Sequence, residues 1–129
     1  MIRRIRSGNA PAAIGPYSQA LTAGAFVFVS GQIPLEPDSG KLVAGGIRRQ
    51  TEQAIKNIEG ILGSAGCRLE NVVRTEVFLA DLGDFDEMNE AYGAFFPVEA
   101  QPARYVVQAA ALPKGAKIEI ACVAYNEAC

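Results

Sequence analysis

Hydrophobic and polar positions along this chain follow two periods, and each switch between them marks an element. Gln19–Thr22 and Phe26–Val29 flank a tight Ala23-Gly24 turn and read as a β-hairpin. Pro34, Pro37, Asp38, Ser39 and Gly40 then supply loop chemistry. From about Gly46 to Ala65 the period becomes helical. Ile47, Ala54, Ile55, Ile58, Ile61, Leu62 and Ala65 form the stripe, Arg48, Arg49, Glu52 and Lys56 lie off it, and Gly66 stands where a C-cap belongs. Alternation returns over Asn71–Leu79, with Val73, Thr75, Val77 and Leu79 on one face. A second helix is predicted over about Phe85–Phe96. Its stripe is Phe85, Met88, Tyr92 and Phe95, its first turn is capped by Asp84 with Glu87 three residues on, and Pro97 closes it. Strands near Ala103–Ala110 and Lys117–Tyr125, joined by a turn at Leu112–Gly115, finish the chain.

With a strand at the N-terminus, the order is three strands, helix, strand, helix and two strands. That order predicts an α+β fold over residues 1–129, a single domain with a mixed sheet and two helices on one face. Phe26–Val29 is apolar on both of its alternating faces, so both should be buried. Two helices cover one face of such a sheet. The other needs a partner, and a second copy of the chain is the economical choice.

Composition narrows the chemistry. The 129 residues are 50% hydrophobic and 20% charged, with a net charge of -2, which suits an ordinary globular domain and gives no basic stripe for nucleic acid. Arg3, Arg4 and Arg6 read as a solvated strand edge. Cys67, Cys122 and Cys129 form no C-x-x-C pair, and no apolar run approaches a signal peptide or a membrane span. The expectation is a cytoplasmic chain with reduced thiols and no metal or other cofactor. Histidine is absent, which removes Ser-His-Asp and Cys-His catalysis and the His-containing zinc site of nucleobase deaminases. Acid–base work then falls to a carboxylate, Lys, Tyr, Cys or water.

Three segments could carry such work. Glu119 shares a strand face with Ala121 and Val123, while Ile118, Ile120, Cys122 and Ala124 take the other; it is either a glutamate at a sheet margin in water or an acid in a cleft. Arg104 opens an apolar run after Pro102 and Ala103, and reads either as a surface residue or as a bidentate clamp for a carboxylate. Gly15-Pro16 sets a sharp loop that presents Tyr17, and Ser30-Gly31-Gln32 ends a strand with a glycine that permits close approach.

Together these segments resemble the reactive intermediate deaminase family (RidA, or YjgF). The resemblance runs through Ala10–Ala20, Val29–Pro34, Gln50-Thr51 and Ala54–Asn57, Asp84-Phe85 with Met88-Asn89 and Tyr92, Pro102–Arg104, Leu112–Gly115 and Ile118–Ile120, nearly the whole chain. It implies a chorismate-mutase-like fold, a homotrimer with clefts between subunits, and hydrolysis of enamines and imines such as 2-aminoacrylate to 2-keto acids and ammonia. It further implies that Arg104 holds the substrate carboxylate and that Glu119 activates water and shuttles protons. Tyr17, Ser30 and Gly31 would line the pocket, and Asn89 would shape it from the second helix, with two chains contributing. Val106 stands where some members carry Cys, and Ala121 where an acid is frequent, so a thiol role does not transfer and the substrate range is open.

Two other classes remain as readings of the same residues. One is a metabolite-binding, regulatory or chaperone-like module without turnover. The other is a ribonuclease, against which the net negative charge and the missing histidine argue.

Overall fold

The computed structural model describes residues 1–127, and in it the predicted elements form a six-stranded mixed sheet with two helices. The strands are β1 (Ile2–Ile5), β2 (Ala20–Ala23), β3 (Phe26–Gln32), β4 (Val72–Leu79), β5 (Ala103–Gln108) and β6 (Ile118–Tyr125), in spatial order β1-β2-β3-β6-β4-β5. The helices are α1 (Ile47–Ser64) and α2 (Phe85–Gly93). Neighbouring strands are antiparallel except β4 and β5. That pair is parallel because α2 carries the chain across between them, a connection a hairpin cannot make.

The helical stripe explains how the layers hold. Ile55, Ile58, Ile61 and Leu62 of α1 are fully or almost fully buried, in one cluster with Val27 and Val29 of β3 and Ile118, Ile120, Cys122 and Ala124 of β6. Burying each large aliphatic side chain contributes about 1.5–3 kcal/mol relative to leaving it in water. The Arg48–Glu90 ion pair at 2.6 Å links the helices, but both side chains are exposed and it contributes little.

Several boundaries differ from the sequence reading for local reasons. A register irregularity between Val72 and Arg74 turns Val72 inward and leaves Val73 44% exposed, so Val73 does not share the buried face of Thr75, Val77 and Leu79. Asp84 makes no side-chain cap; Asp81 accepts from the Gly83 N–H at 2.8 Å and starts a short 3-10 turn ahead of α2. That helix ends at Gly93, and Phe96 is still buried beyond it. Gly66, with φ of +76°, does terminate α1 in the left-handed region. Cys122 is a buried free thiol, Cys67 is also buried, and Cys129 lies outside the described residues. Among the described residues no helix is long and apolar enough to cross a membrane.

The two faces of the sheet differ. The helix-covered face is buried over β3, β6 and β4, while on the other Phe26, Phe28, Tyr105, Val107 and Tyr125 are 39–47% exposed. In a single chain the apolar outward face of β3 is therefore uncovered, which is the feature that called for a partner.

Candidate active site

Strand alternation sets the position of Glu119. Ile118 and Ile120 point into the core with no exposed surface, so Glu119 between them points to the open face. Opposite it, β3 slips register between Val29 and Gln32. Irregularities of this kind re-aim side chains, and here the slip brings the backbone of Gly31 under the Glu119 carboxylate. A Cβ on Gly31 would sit 2.0 Å from Glu119 Oε2. Glu119 has no hydrogen-bond donor or cation beside it among the described residues, and burial alone pushes its carboxyl above the ordinary glutamate range.

The carboxylate faces a cleft of about 400 Å³. Tyr17, Ser30 and Gly31 line it with Glu119, beside apolar walls from Ile33, Leu35 and Pro113. The Ser30 hydroxyl donates to the Ser18 carbonyl at 2.7 Å, which leaves its oxygen able to accept. Tyr17 is held by a tight turn in which its N–H donates to the Gly15 carbonyl at 2.8 Å, and its hydroxyl accepts from the Ile14 N–H at 3.4 Å. Its ring is about half exposed.

Arg104 and Asn89 lie elsewhere. Arg104 pairs in register with Thr75, a buried residue of the helix-covered face, and its guanidinium rests 4.8 Å from the centre of the Tyr92 ring and 5.8 Å from that of Phe85. Its Nη1 donates to Asn89 Oδ1 at 2.7 Å. The Tyr92 hydroxyl shares a 2.7 Å hydrogen bond with Thr75, and burial raises its pKa in spite of that bond and of the nearby Arg104. No carboxylate engages Arg104 among the described residues. The structure thus brings together Tyr17, Ser30, Gly31 and Glu119 on one face and Arg104 with Asn89 on the other. Within one chain Arg104 and Glu119 do not share a cleft.

Sequence reasoning gave no role to the residues that brace this arrangement. Asn57, fully buried in α1, donates to the Ile33 and Leu35 carbonyls at 3.3 and 3.0 Å and so holds the apolar wall. Gln50 accepts from the Lys117 N–H at 2.8 Å and fixes the start of β6. The available signal was that both are polar residues on the buried side of an apolar helix.

Gly31→Ala provides a local test. Its Cβ would displace the flexible end of Glu119 and leave the backbone alone. Stability should change by less than about 1 kcal/mol, while any turnover that depends on the placed carboxylate should fall about 10- to 100-fold. Melting and steady-state kinetics on the same preparation separate the two effects.

The endoribonuclease L-PSP family matches residues 7–126. The human protein named 2-iminobutanoate/2-iminopropanoate deaminase is 50% identical over 125 residues, covering 96% of this chain and 90% of its own. A Yersinia pestis protein of the conserved Rid family, YyfA, superposes with a TM-score of 0.94 at 40% identity, over 98% of this chain and 100% of its own. TdcF of E. coli, solved with bound serine, superposes with a TM-score of 0.91 at 38% identity, over 96% and 98% of the two chains.

Proposed function

This chain belongs to the endoribonuclease L-PSP family, and we propose that within it the protein hydrolyses 2-imino acids and their enamine tautomers, such as 2-aminoacrylate, to 2-keto acids and ammonia. The observation that carries this reading is the half-buried carboxylate of Glu119, unpartnered and set over Gly31 in a largely apolar cleft. A carboxylate whose pKa is raised toward neutrality can both take and return a proton. In the proposed reaction, water adds to the C=N carbon as Glu119 takes its proton. Returned to the nitrogen, that proton gives a carbinolamine; Glu119 then takes the carbinolamine hydroxyl proton and passes it to the amine nitrogen, so that the C–N bond breaks with ammonia leaving as the carbonyl forms. An enamine first takes a proton at its terminal carbon to give the imine.

The carboxylate of such a substrate needs a cation, and the cleft as one chain builds it has no basic residue in its lining. Arg104 meets the chemical requirement, with a planar fork held against Tyr92 and Phe85 and oriented by Asn89. We therefore place Arg104 of one copy at the mouth of the next copy's Glu119 cleft. Repeated head to tail, this contact closes into a ring, for which the homotrimer is our reading. The exposed Phe26 and Phe28 support the burial that such a ring requires. Phe28→Glu should dissociate the assembly and abolish turnover while leaving the monomer folded; light scattering and circular dichroism of the variant check both halves.

The ribonuclease reading fits this cleft poorly, since a carboxylate among apolar walls repels phosphate. The deaminase reading is tested by generating 2-aminoacrylate with a serine dehydratase and following pyruvate. The protein should accelerate its release. If neither this enamine nor amino-acid-oxidase-generated imines are turned over faster, while 2-keto acids still bind, the cleft belongs to a binding module.

A further inference from the structure

The wall of the cleft that carries Tyr17 is irregular chain. Residues 12–17 form neither helix nor strand, their side chains are exposed, and their hydrogen bonds, from the Tyr17 N–H to the Gly15 carbonyl and from the Ile14 N–H to the Tyr17 hydroxyl, are internal to the segment. Something must hold this wall against the sheet. Its C-terminal end runs into β2. Its N-terminal end is gripped by one side chain.

We infer that Gln19 is a positioning residue, an amide clip that fixes segment 7–11 to the β2–β3 hairpin and thereby sets the Tyr17 wall of the cleft. This rests on the deaminase reading only for its kinetic consequence. Gln19 is 4% exposed. Its Oε1 accepts from the Ser7 N–H at 2.6 Å, and its Nε2 donates to the Ser7 and Pro11 carbonyls at 3.2 and 2.7 Å. One acceptor and two donors at this reach are what a glutamine amide offers; Glu would set a carboxylate against two carbonyls, and Leu would leave all three groups unpaired. The Gln19 carbonyl also accepts from the Ser30 N–H at 2.9 Å, so the clip is tied to the strand that bears Ser30. From the other side α1 completes the grip. Ser7 Oγ donates to the Gly60 carbonyl at 3.1 Å, and a Cβ on Gly60 would lie 2.5 Å from the Asn9 carbonyl oxygen.

A positioning role has its own kinetic signature. If loss of the clip lets the wall leave its place, only the fraction of molecules with the wall in place binds substrate. Apparent affinity falls by that fraction, while turnover of the bound complex is kept. Gln19→Ala removes the clip, and Gly60→Ala pushes the same segment away from the helix side although alanine is intrinsically the better helix former. Both should raise KM about 10-fold with kcat within about twofold, and the double variant should be no worse than the more affected single one, because both act on one segment. Amide hydrogen exchange at Ile14 and Tyr17, the hydrogen-bonded N–H groups of this wall, should speed up about 10-fold in each variant, with the core of α1 unchanged. Unchanged exchange and KM in Gln19→Ala, or effects of the two substitutions that multiply in full, would overturn the inference. If the wild type turns over no imine, the deaminase reading falls, and the exchange rates together with 2-ketobutyrate binding decide the clip.

Discussion

Glu119→Gln is expected to lower keto-acid release by roughly 10²- to 10⁴-fold while the assembly stays folded, the range associated with loss of a positioned general acid–base group. The substitution keeps shape and removes the titrating proton. It carries a second signature. Burial raises the carboxyl pKa in the folded state, so the folded chain holds this proton more tightly than the unfolded chain does. The stabilisation linked to that proton is complete below the ordinary carboxylate range and is lost as pH rises through the folded-state value. Glu119→Gln, which is neutral throughout, should therefore be more stable than the wild type at neutral pH, and the difference should close as pH falls below about 4. In the proposed reaction the carboxylate form takes the proton from water, so kcat/KM should climb with pH through an apparent pKa above that of an ordinary glutamate. Denaturant melts across pH and a pH–rate profile check both.

Arg104→Ala should cost about 10²- to 10³-fold in kcat/KM, carried mainly by KM, since a charge-assisted pair of hydrogen bonds to the substrate carboxylate is lost. The fold should tolerate it within about 1 kcal/mol, because the side chain is exposed and engages no carboxylate of its own chain. Arg104→Lys should restore little. A lysine keeps the charge but gives up the planar fork and the stacking on Tyr92 and Phe85 that orient it. Steady-state kinetics on purified assemblies of the three forms decide the point, and a lysine variant with wild-type KM would count against the clamp.

Both substitutions concern residues whose faces were unevenly legible in the amino-acid sequence. Glu119 was readable, because strict alternation along Ile118–Ala124 leaves one acid on the side away from the core. The same logic placed α1, the β2–β3 hairpin and the element order. The uncovered side of β3 was legible too, since Phe26 and Phe28 alternate with Val27 and Val29 without a polar face. Local irregularities were not. The slip near Val72 that turns Val73 outward, and the one between Val29 and Gln32 that slides Gly31 beneath Glu119, depend on strand pairing far away in the chain. Nor does spacing say which face Arg104 takes, because β5 is an edge strand with most of its residues exposed and no strong alternation to read. The parallel register with β4, fixed by the α2 crossover, decides that.

The division of the candidate site between two faces is therefore the central claim, and subunit mixing tests it most directly. Arg104→Ala and Glu119→Gln assemblies, each nearly inactive at substrate concentrations well below the wild-type KM, are dissociated, mixed in equal amounts and reassembled, and pyruvate release from 2-aminoacrylate is measured at such a concentration. If each cleft joins Arg104 of one copy to Glu119 of another, random reassembly leaves about one cleft in four with both residues intact, and about a quarter of wild-type activity returns. If no activity returns after subunit exchange has been verified, the two residues act within a single chain or not together, and the composite cleft is wrong.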